Sequence, residues 1–197
     1  MAIDAWLSIT IIAMLLYVIY HCQSQWCFYI LIGMPENPKI TYDTLINRDI
    51  SPQNLVEALS DLAEQWLQDQ REKKAIECLD YACQHLEAHA PDTALLGTLY
   101  QKLGHLWRRL GNHKLTGFYY KKALSQFKTV HQSPHYDIAA CHFVLASFLH
   151  QIVKPGPALH HYEMAYTILD ELPSDYSTEM AQINTKREQL SGHTAPS

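Results

Sequence analysis

The chain is poor in charged residues and in glycine. Only 18% of its 197 residues are charged and 48% are hydrophobic, so the composition excludes an intrinsically disordered protein. The formal net charge is -5 and no run of Lys or Arg is present, whereas nucleic-acid-binding proteins usually carry a basic surface. We therefore expect no nucleic-acid partner. Seven glycines and few alternating Val, Ile or Thr residues also leave little room for β-sheet.

Motifs that carry catalysis or bind cofactors are missing from the sequence. It contains no HExxH, GxSxG, Walker or GxGxxG pattern, and we therefore expect neither an enzyme nor a cofactor. The five cysteines are odd in number, and none has the CxxC spacing of a zinc knuckle or a thioredoxin-like site. We interpret them as small buried hydrophobic residues in a reducing compartment.

The N-terminal segment has no charged side chain between Ala5 and Pro35. A helix of residues 5–22 would be about 27 Å long, close to the roughly 30 Å of bilayer hydrocarbon. Residues 1–34 are therefore predicted to be a single-pass membrane anchor, and residues 35–51, with Pro35 and Pro38, a linker. Aromatic residues typical of membrane interfaces lie near both ends of the apolar run: Trp6, Tyr17, Tyr20 and Trp26.

This segment has alternative interpretations. The bulky residues 19–21 precede Cys22 and no basic residue precedes the apolar run, which argues against a cleaved signal peptide or a lipobox. A hydrophobic helix packed against the rest of the protein or a partner subunit remains an alternative. Asp4 precedes the apolar run and Lys39 and Arg48 follow it, which favours a cytoplasmic location for the C-terminal domain.

A repeated pattern of small and large residues follows the linker. Each copy has a small residue, a large one three positions later and, after a turn, a small, a large and a small residue at intervals of four and three. Small residues at such spacings let two helices pack closely, and the large side chains fill the space beside them. The copies, offset by 41 and 42 residues, are Ala63, Trp66, Ala75, Leu79 and Ala82; Gly104, Trp107, Thr116, Tyr120 and Ala123; and Ala146, Leu149, Ala158, Tyr162 and Ala165.

This pattern resembles the tetratricopeptide (TPR) repeat, and the long period resembles that of kinesin light chains. The resemblance implies an all-α fold, a right-handed TPR-type α-solenoid of about three helical hairpins, in residues 52–190. The residues Gln68-Asp69-Gln70 occupy the place of the usual turn glycine in repeat one, and residues 154–157 are predicted to be a rigid loop in repeat three. The segment 174–190 has one apolar stripe and is expected to cap the solenoid, followed by a flexible tail at residues 191–197.

The resemblance also implies which positions line a concave groove, since the first helix of each hairpin lines it in TPR proteins. The groove would run from acidic through basic to partly aromatic, which suits a peptide with charges of both signs and an apolar anchor. The implied positions are Glu57, Ser60 and Glu64 in repeat one, Thr98, Gln101, His105 and Arg108 in repeat two, and Ala140, Phe143, Ser147 and His150 in repeat three.

Some TPR proteins clamp the C-terminal carboxylate of chaperones with lysine, asparagine and arginine in this groove. Of the matching positions in this sequence, Lys102 alone carries a suitable side chain, which argues against such a clamp. The others hold Ser60, Glu64, Ala140 and Val144.

Twelve histidines raise the question of a metal site. His85 with His89, and His131 with His135, have the four-residue spacing that can place two imidazoles on one helix face. We expect no metal at either pair, because no carboxylate or thiol is arranged as a third ligand and Ser133-Pro134 interrupts the second pair.

The sequence as a whole predicts a membrane-anchored, non-enzymatic TPR adaptor that binds a protein or peptide and takes part in assembling a protein complex. The anchor would concentrate the groove at the bilayer. The alternative is an accessory structural subunit of a large membrane protein complex, whose N-terminal helix packs among other transmembrane helices. A third hypothesis is a metal- or ligand-responsive regulator.

Overall fold

The computed structural model describes residues 51–192, which form seven α-helices and no strand. None of these helices is long and apolar enough to cross a bilayer. The predicted anchor at residues 1–34 lies outside the described residues, as do residues 35–50 of the linker and 193–197 of the tail. The helices are α1 (Pro52–Gln68), α2 (Glu72–His89), α3 (Ala94–Arg109), α4 (His113–Val130), α5 (Tyr136–Gln151), α6 (Pro155–Asp170) and α7 (Ser177–Gly192).

Three helical hairpins, each closed by a three-residue turn, stack along the chain. The pairs α1–α2, α3–α4 and α5–α6 make the most extensive contacts, followed by α2–α3, α4–α5 and α6–α7. Each hairpin therefore packs chiefly on its neighbours in the sequence, which is the arrangement of a solenoid. The extra length of the repeats lies mainly in their helices, which have 16 to 18 residues.

The turn inside each hairpin uses the same backbone conformation. Gln70, Gly111 and Val153 have positive φ values of 59°, 73° and 56°. In every turn the following amide N–H donates to a carbonyl five residues earlier, as Asn112 does to Trp107 at 2.9 Å. This hydrogen bond closes the C-terminus of the first helix in the manner of a Schellman motif.

The second helix of the third hairpin begins earlier than the sequence indicated. Residues 154–157 do not form a rigid loop, because α6 starts at Pro155. A proline is tolerated there since the first turn of a helix needs no amide donor, and Pro157 lies in the same turn. The reversal of the chain takes place at Val153 instead.

The repeated small residues lie where the helices of a hairpin touch. Gly104 faces the ring of Tyr120, and a Cβ atom added to Gly104 would lie 2.4 Å from Tyr120 Cδ1. Trp107 and Leu149 are half-buried, and every other position of the pattern is buried. The predicted frame of three TPR-type hairpins is confirmed for the described residues.

The last helix covers the open side of the third hairpin. Ile183 and Leu190 of α7 are buried, and the guanidinium of Arg187 lies over the ring of Tyr166 of α6, 5.6 Å from its centroid. The other side of α7 is exposed and polar. This is the half-polar lid that a solenoid end needs, although α7 ends at Gly192, two residues beyond the predicted limit.

Candidate peptide-binding face

The first helices of the three hairpins lie side by side. Lys102 Nζ of α3 donates to Glu64 Oε1 of α1 at 3.0 Å, and Arg108 Nε of α3 donates to Gln151 Oε1 of α5 at 2.7 Å. These two contacts join α1 to α3 and α3 to α5 across their solvent-accessible sides. We call this surface the inner face; its predicted binding residues are Glu57, Glu64, Gln101, His105, Arg108, Phe143, Ser147 and His150.

The acidic end of the inner face lies on α1. Glu57 and Glu64 are exposed, and Asp61 lies half-buried between them in the sequence. Burial raises the pKa of Asp61, and the charges of Glu64 and Glu57 raise it further, while Lys102 acts in the opposite direction. Asp61 was not among the predicted binding residues, although it belongs to the same acidic group.

The lysine expected at a chaperone-clamp position is already paired. The ammonium group of Lys102 forms a salt bridge with Glu64 at 3.0 Å, and both side chains remain partly exposed. An incoming carboxylate would have to compete with Glu64 for this ammonium group. This pairing adds to the sequence argument against a carboxylate clamp.

Buried tyrosines of the second helices reach the inner face in repeats two and three. Tyr120 Oη lies 3.0 Å from His105 Nδ1, and Tyr162 Oη lies 3.3 Å from Ser147 Oγ. The two pairs occupy equivalent positions, 42 residues apart. Repeat one has Leu79 in place of the tyrosine, so the equivalent Glu64 has no hydroxyl to bind and extends to Lys102 instead.

A positive charge without a partner carboxylate among the described residues lies where repeats two and three meet. Arg108 has no carboxylate within ion-pair distance among residues 51–192, and its hydrogen bond to Gln151 leaves its charge uncompensated. Burial lowers the pKa of His105, and the charge of Arg108 lowers it further. Burial raises the pKa of Tyr162, while the hydrogen bond with Ser147 and the charge of Arg108 oppose that shift.

Aromatic side chains adjoin this charge. The rings of Phe143 and His150 lie 5.8 Å and 6.5 Å from the ring of Tyr162, measured between centroids. Phe143 and His150 are both half-buried, so part of each ring remains accessible from the inner face. The junction thus combines a cation with an apolar surface.

Not all the predicted binding residues meet at this junction. Five of them, His105, Arg108, Phe143, Ser147 and His150, surround Tyr120 and Tyr162. Glu57 and Glu64 lie on α1 at the other end of the inner face, and Gln101 is half-buried on α3 between them. Gln151 was missed, because a residue in the last turn of α5 offers no periodic signal that it contacts Arg108.

The expectation that His131 and His135 lack a neighbouring carboxylate is wrong. Asp137 Oδ2 lies 2.9 Å from His131 Nε2 and 3.6 Å from His135 Nδ1. A carboxylate two residues beyond His135 was visible in the sequence, but its position depends on how the loop after α4 folds. His131 and His135 lie in the connection between repeats two and three, and Asp137 lies in the first turn of α5.

The likeness of this chain to known proteins is structural. No protein-family profile and no curated protein sequence matches it. A crystal structure of BtubC (BKLC) from P. vanneervenii is similar with a TM-score of 0.67 and 15% identity, over 90% of this chain and 78% of that one.

Two further solved structures contain TPR or TPR-like repeats by their descriptions. A putative kinesin light chain of Podosopora anserina with nearly identical TPR-like repeats is 13% identical, with a TM-score of 0.58 over 79% of each chain. The first TPR domain of Spaghetti (RPAP3), bound to the HSP90 peptide SRMEEVD, is 12% identical, with a TM-score of 0.51 over 73% of this chain and 95% of that one. The described helices therefore have a TPR-like fold.

Proposed function

We propose that this protein is a membrane-anchored TPR scaffold that binds a protein partner through its inner face and helps to assemble a protein complex. The fold supports a binding role, since one structural neighbour holds a peptide. The anchor rests on the charge-free residues 5–35, and no catalytic step is part of the proposal.

The observation that carries the proposal is the uncompensated Arg108 at the junction of repeats two and three. Its guanidinium is fixed by Gln151, so little side-chain entropy remains to be lost when a ligand binds. Arginine beside aromatic side chains is enriched among residues that dominate binding energy. The inner face therefore has a composition that favours binding of a macromolecule over a surface that contacts only water.

The chemistry of the junction indicates the kind of segment that binds. A carboxylate of the partner would pair with Arg108, and an adjacent apolar side chain would contact Phe143 and the edge of His150. Basic residues of the same segment would lie toward Glu57 and Asp61 on α1. The partner segment should therefore carry an acidic and apolar part and a basic part, in that order from α5 to α1.

A charge reversal tests this assignment. Arg108→Glu in the full-length protein should reduce the recovery of its partner from native membranes by about tenfold or more, the loss typical of a central arginine. Arg109→Glu is the matched control, because Arg109 lies next to Arg108 but pairs with Glu72 of α2 at 3.0 Å. Quantitative mass spectrometry of the co-purified proteins and circular dichroism of both variants provide the readout.

The two substitutions should have different effects. Selective loss of one set of proteins with Arg108→Glu, at unchanged helicity, is the expected result. Equal recovery with wild type and Arg108→Glu would show that the partner binds elsewhere.

The anchor requires a separate experiment. Full-length protein should stay with membranes during alkaline extraction, and deletion of residues 1–50 should leave a soluble monomer. Release of the full-length chain by alkali would contradict the anchor. Recovery of the protein only together with other membrane subunits would favour the alternative, an accessory subunit of a large complex.

A further inference from the structure

The connection between α4 and α5 brings three metal-ligating side chains together. One ligand atom from each of His131, His135 and Asp137 lies within 4.8 Å of the others. Asp137 Oδ2 is 2.9 Å from His131 Nε2 and 3.6 Å from His135 Nδ1. Ligand atoms around a tetrahedral zinc ion are roughly 3.3 Å apart, given zinc–ligand distances near 2.0 Å. The two distances lie on either side of that value.

The nitrogen of His131 supplies a second, independent observation. His131 Nε2 is shielded from solvent and makes no hydrogen bond within residues 51–192, even though Asp137 Oδ2 is close by. This nitrogen lies 2.9 Å from a carboxylate oxygen at an angle that forms no hydrogen bond, so both atoms are available to a cation. A cation bound to both atoms would satisfy them.

We propose that His131, His135 and Asp137 bind one divalent transition-metal ion, with zinc as the best match. Two imidazoles and one carboxylate form the protein part of many zinc sites, with water in the remaining position. Magnesium and calcium prefer oxygen ligands, so the two imidazoles select against them.

One ring must turn when the ion binds. The imidazoles of His131 and His135 are stacked, with centroids 3.6 Å apart and planes only 4° from parallel, whereas a metal lies in the plane of each ring that binds it. The side chain of His135 is 40% exposed and that of His131 is 18% exposed, so His135 is the ring with space to rotate. Its rotation gives up the hydrogen bond that Nδ1 accepts from the amide of Asp137.

The site would join two repeats. His131 directly follows α4, the last helix of repeat two, and Asp137 lies in the first turn of α5, which opens repeat three. A metal bound to both would stabilise the connection between these repeats without contacting the inner-face residues. Binding should therefore raise the melting temperature of the protein by mass action.

Metal binding is measured directly on the full-length protein in detergent, after removal of any purification tag. Equilibrium dialysis against zinc chloride gives stoichiometry and affinity, and the visible absorption of bound Co²⁺ reports the coordination geometry. We expect one zinc ion per chain. Asp137→Asn should weaken the affinity at least about tenfold, because loss of even an outer-shell partner costs 10- to 100-fold.

Two further variants separate ligation from folding. His135→Asn removes an imidazole but supplies a good N-cap for α5, so zinc binding should weaken while helicity and melting without metal are retained. His89→Gln is the matched control, because His89 belongs to the other histidine pair with four-residue spacing, on α2. It should bind zinc as wild type does.

The same measurements can contradict the metal site. Equal zinc affinity and Co²⁺ absorption in wild type, Asp137→Asn and His135→Asn would show adventitious binding to other histidines only. That outcome, or the absence of zinc-dependent stabilisation in the wild type, would overturn the proposal.

Discussion

Gly104 permits a close approach between α3 and α4 in the second hairpin. Its backbone lies against Tyr120, whose ring is fully buried and whose hydroxyl is hydrogen-bonded to His105. The ring therefore cannot move aside for a methyl group placed 2.4 Å from Cδ1. This contact leaves room only for glycine at the small position of this repeat.

Gly104→Ala should lower the free energy of unfolding by about 1–3 kcal/mol, because the added methyl overpacks a fixed contact. Gly117→Ala on α4 is the matched control, since its Cβ would lie 3.4 Å from Phe148 Cε1. That control should be neutral or stabilising by up to about 1 kcal/mol, the helix preference for alanine over glycine. Thermal unfolding of the two purified variants measures the difference, and an unchanged Gly104→Ala protein would show that the helices are further apart.

His142 is a buried base within a cationic neighbourhood. Its Nδ1 lies 2.8 Å from Nδ1 of His161 on α6, and its ring is only 2% exposed. Burial lowers the pKa of His142 to about 4, with further lowering by Lys128 of α4 and by His161 and His160 of α6. The folded protein therefore holds His142 neutral at a pH where the unfolded chain would bind a proton.

Stability should fall as the pH decreases from about 6.5 toward 4, since the unfolded state then binds more protons than the folded state. The loss due to His142 should approach roughly 3 kcal/mol at pH 4. His142→Gln removes this titration, and the difference in unfolding free energy between pH 7.5 and pH 5 should shrink. If the variant loses as much stability in acid as the wild type, other groups are responsible.

The position and conformation of the turn inside each hairpin could be predicted from the sequence only in part. Spacing placed the hairpins because each small residue must face a large one. It did not show that Val153 would take the left-handed conformation, which β-branched residues rarely adopt. The sequence Pro155-Gly156-Pro157 indicated that the turn lies after Val153, because proline and glycine are typical of turns.

Val153→Gly should therefore stabilise the third hairpin. The side chain is 84% exposed, so little packing is lost, and the left-handed conformation costs a non-glycine residue about 1–2 kcal/mol. We expect the free energy of unfolding to rise by about 1 kcal/mol in a denaturant titration. Gly111→Val, at the equivalent turn of repeat two, should lower it by a similar amount. Effects of the same sign in both variants would contradict a common turn conformation.

The candidate binding face could be predicted only in part, because helix periodicity does not show which side chains of neighbouring hairpins contact each other. The family pattern implies which side of α3 and α5 faces a ligand, because helix periodicity fixes the direction of each side chain. It does not give the partners of those side chains. The pairing of Lys102 with Glu64 and of Arg108 with Gln151 depends on how neighbouring hairpins are arranged, and the position of Asp137 depends on a loop.

Each hairpin of the described residues is stabilised by its contacts with the next one along the chain. Each element packs chiefly on its neighbours in the sequence, and α7 closes the series by burying Ile183 against α6. The core of such a solenoid extends along the stack of helices, and its stability is approximately a sum of repeat and interface contributions. A destabilising substitution at one end should therefore affect the adjacent helices most.

Ile183→Asp should detach the cap, because it places a charge at a position that is 1% exposed. Amide hydrogen exchange should then accelerate most in α7 and α6, less in α5, and least in α1 and α2, since local opening spreads through adjacent contacts. Gln182→Asp is the matched control, with an exposed side chain one position earlier on α7, and it should leave the exchange pattern unchanged. A uniform acceleration from α1 to α7 would show that the hairpins unfold as a single cooperative unit and not repeat by repeat.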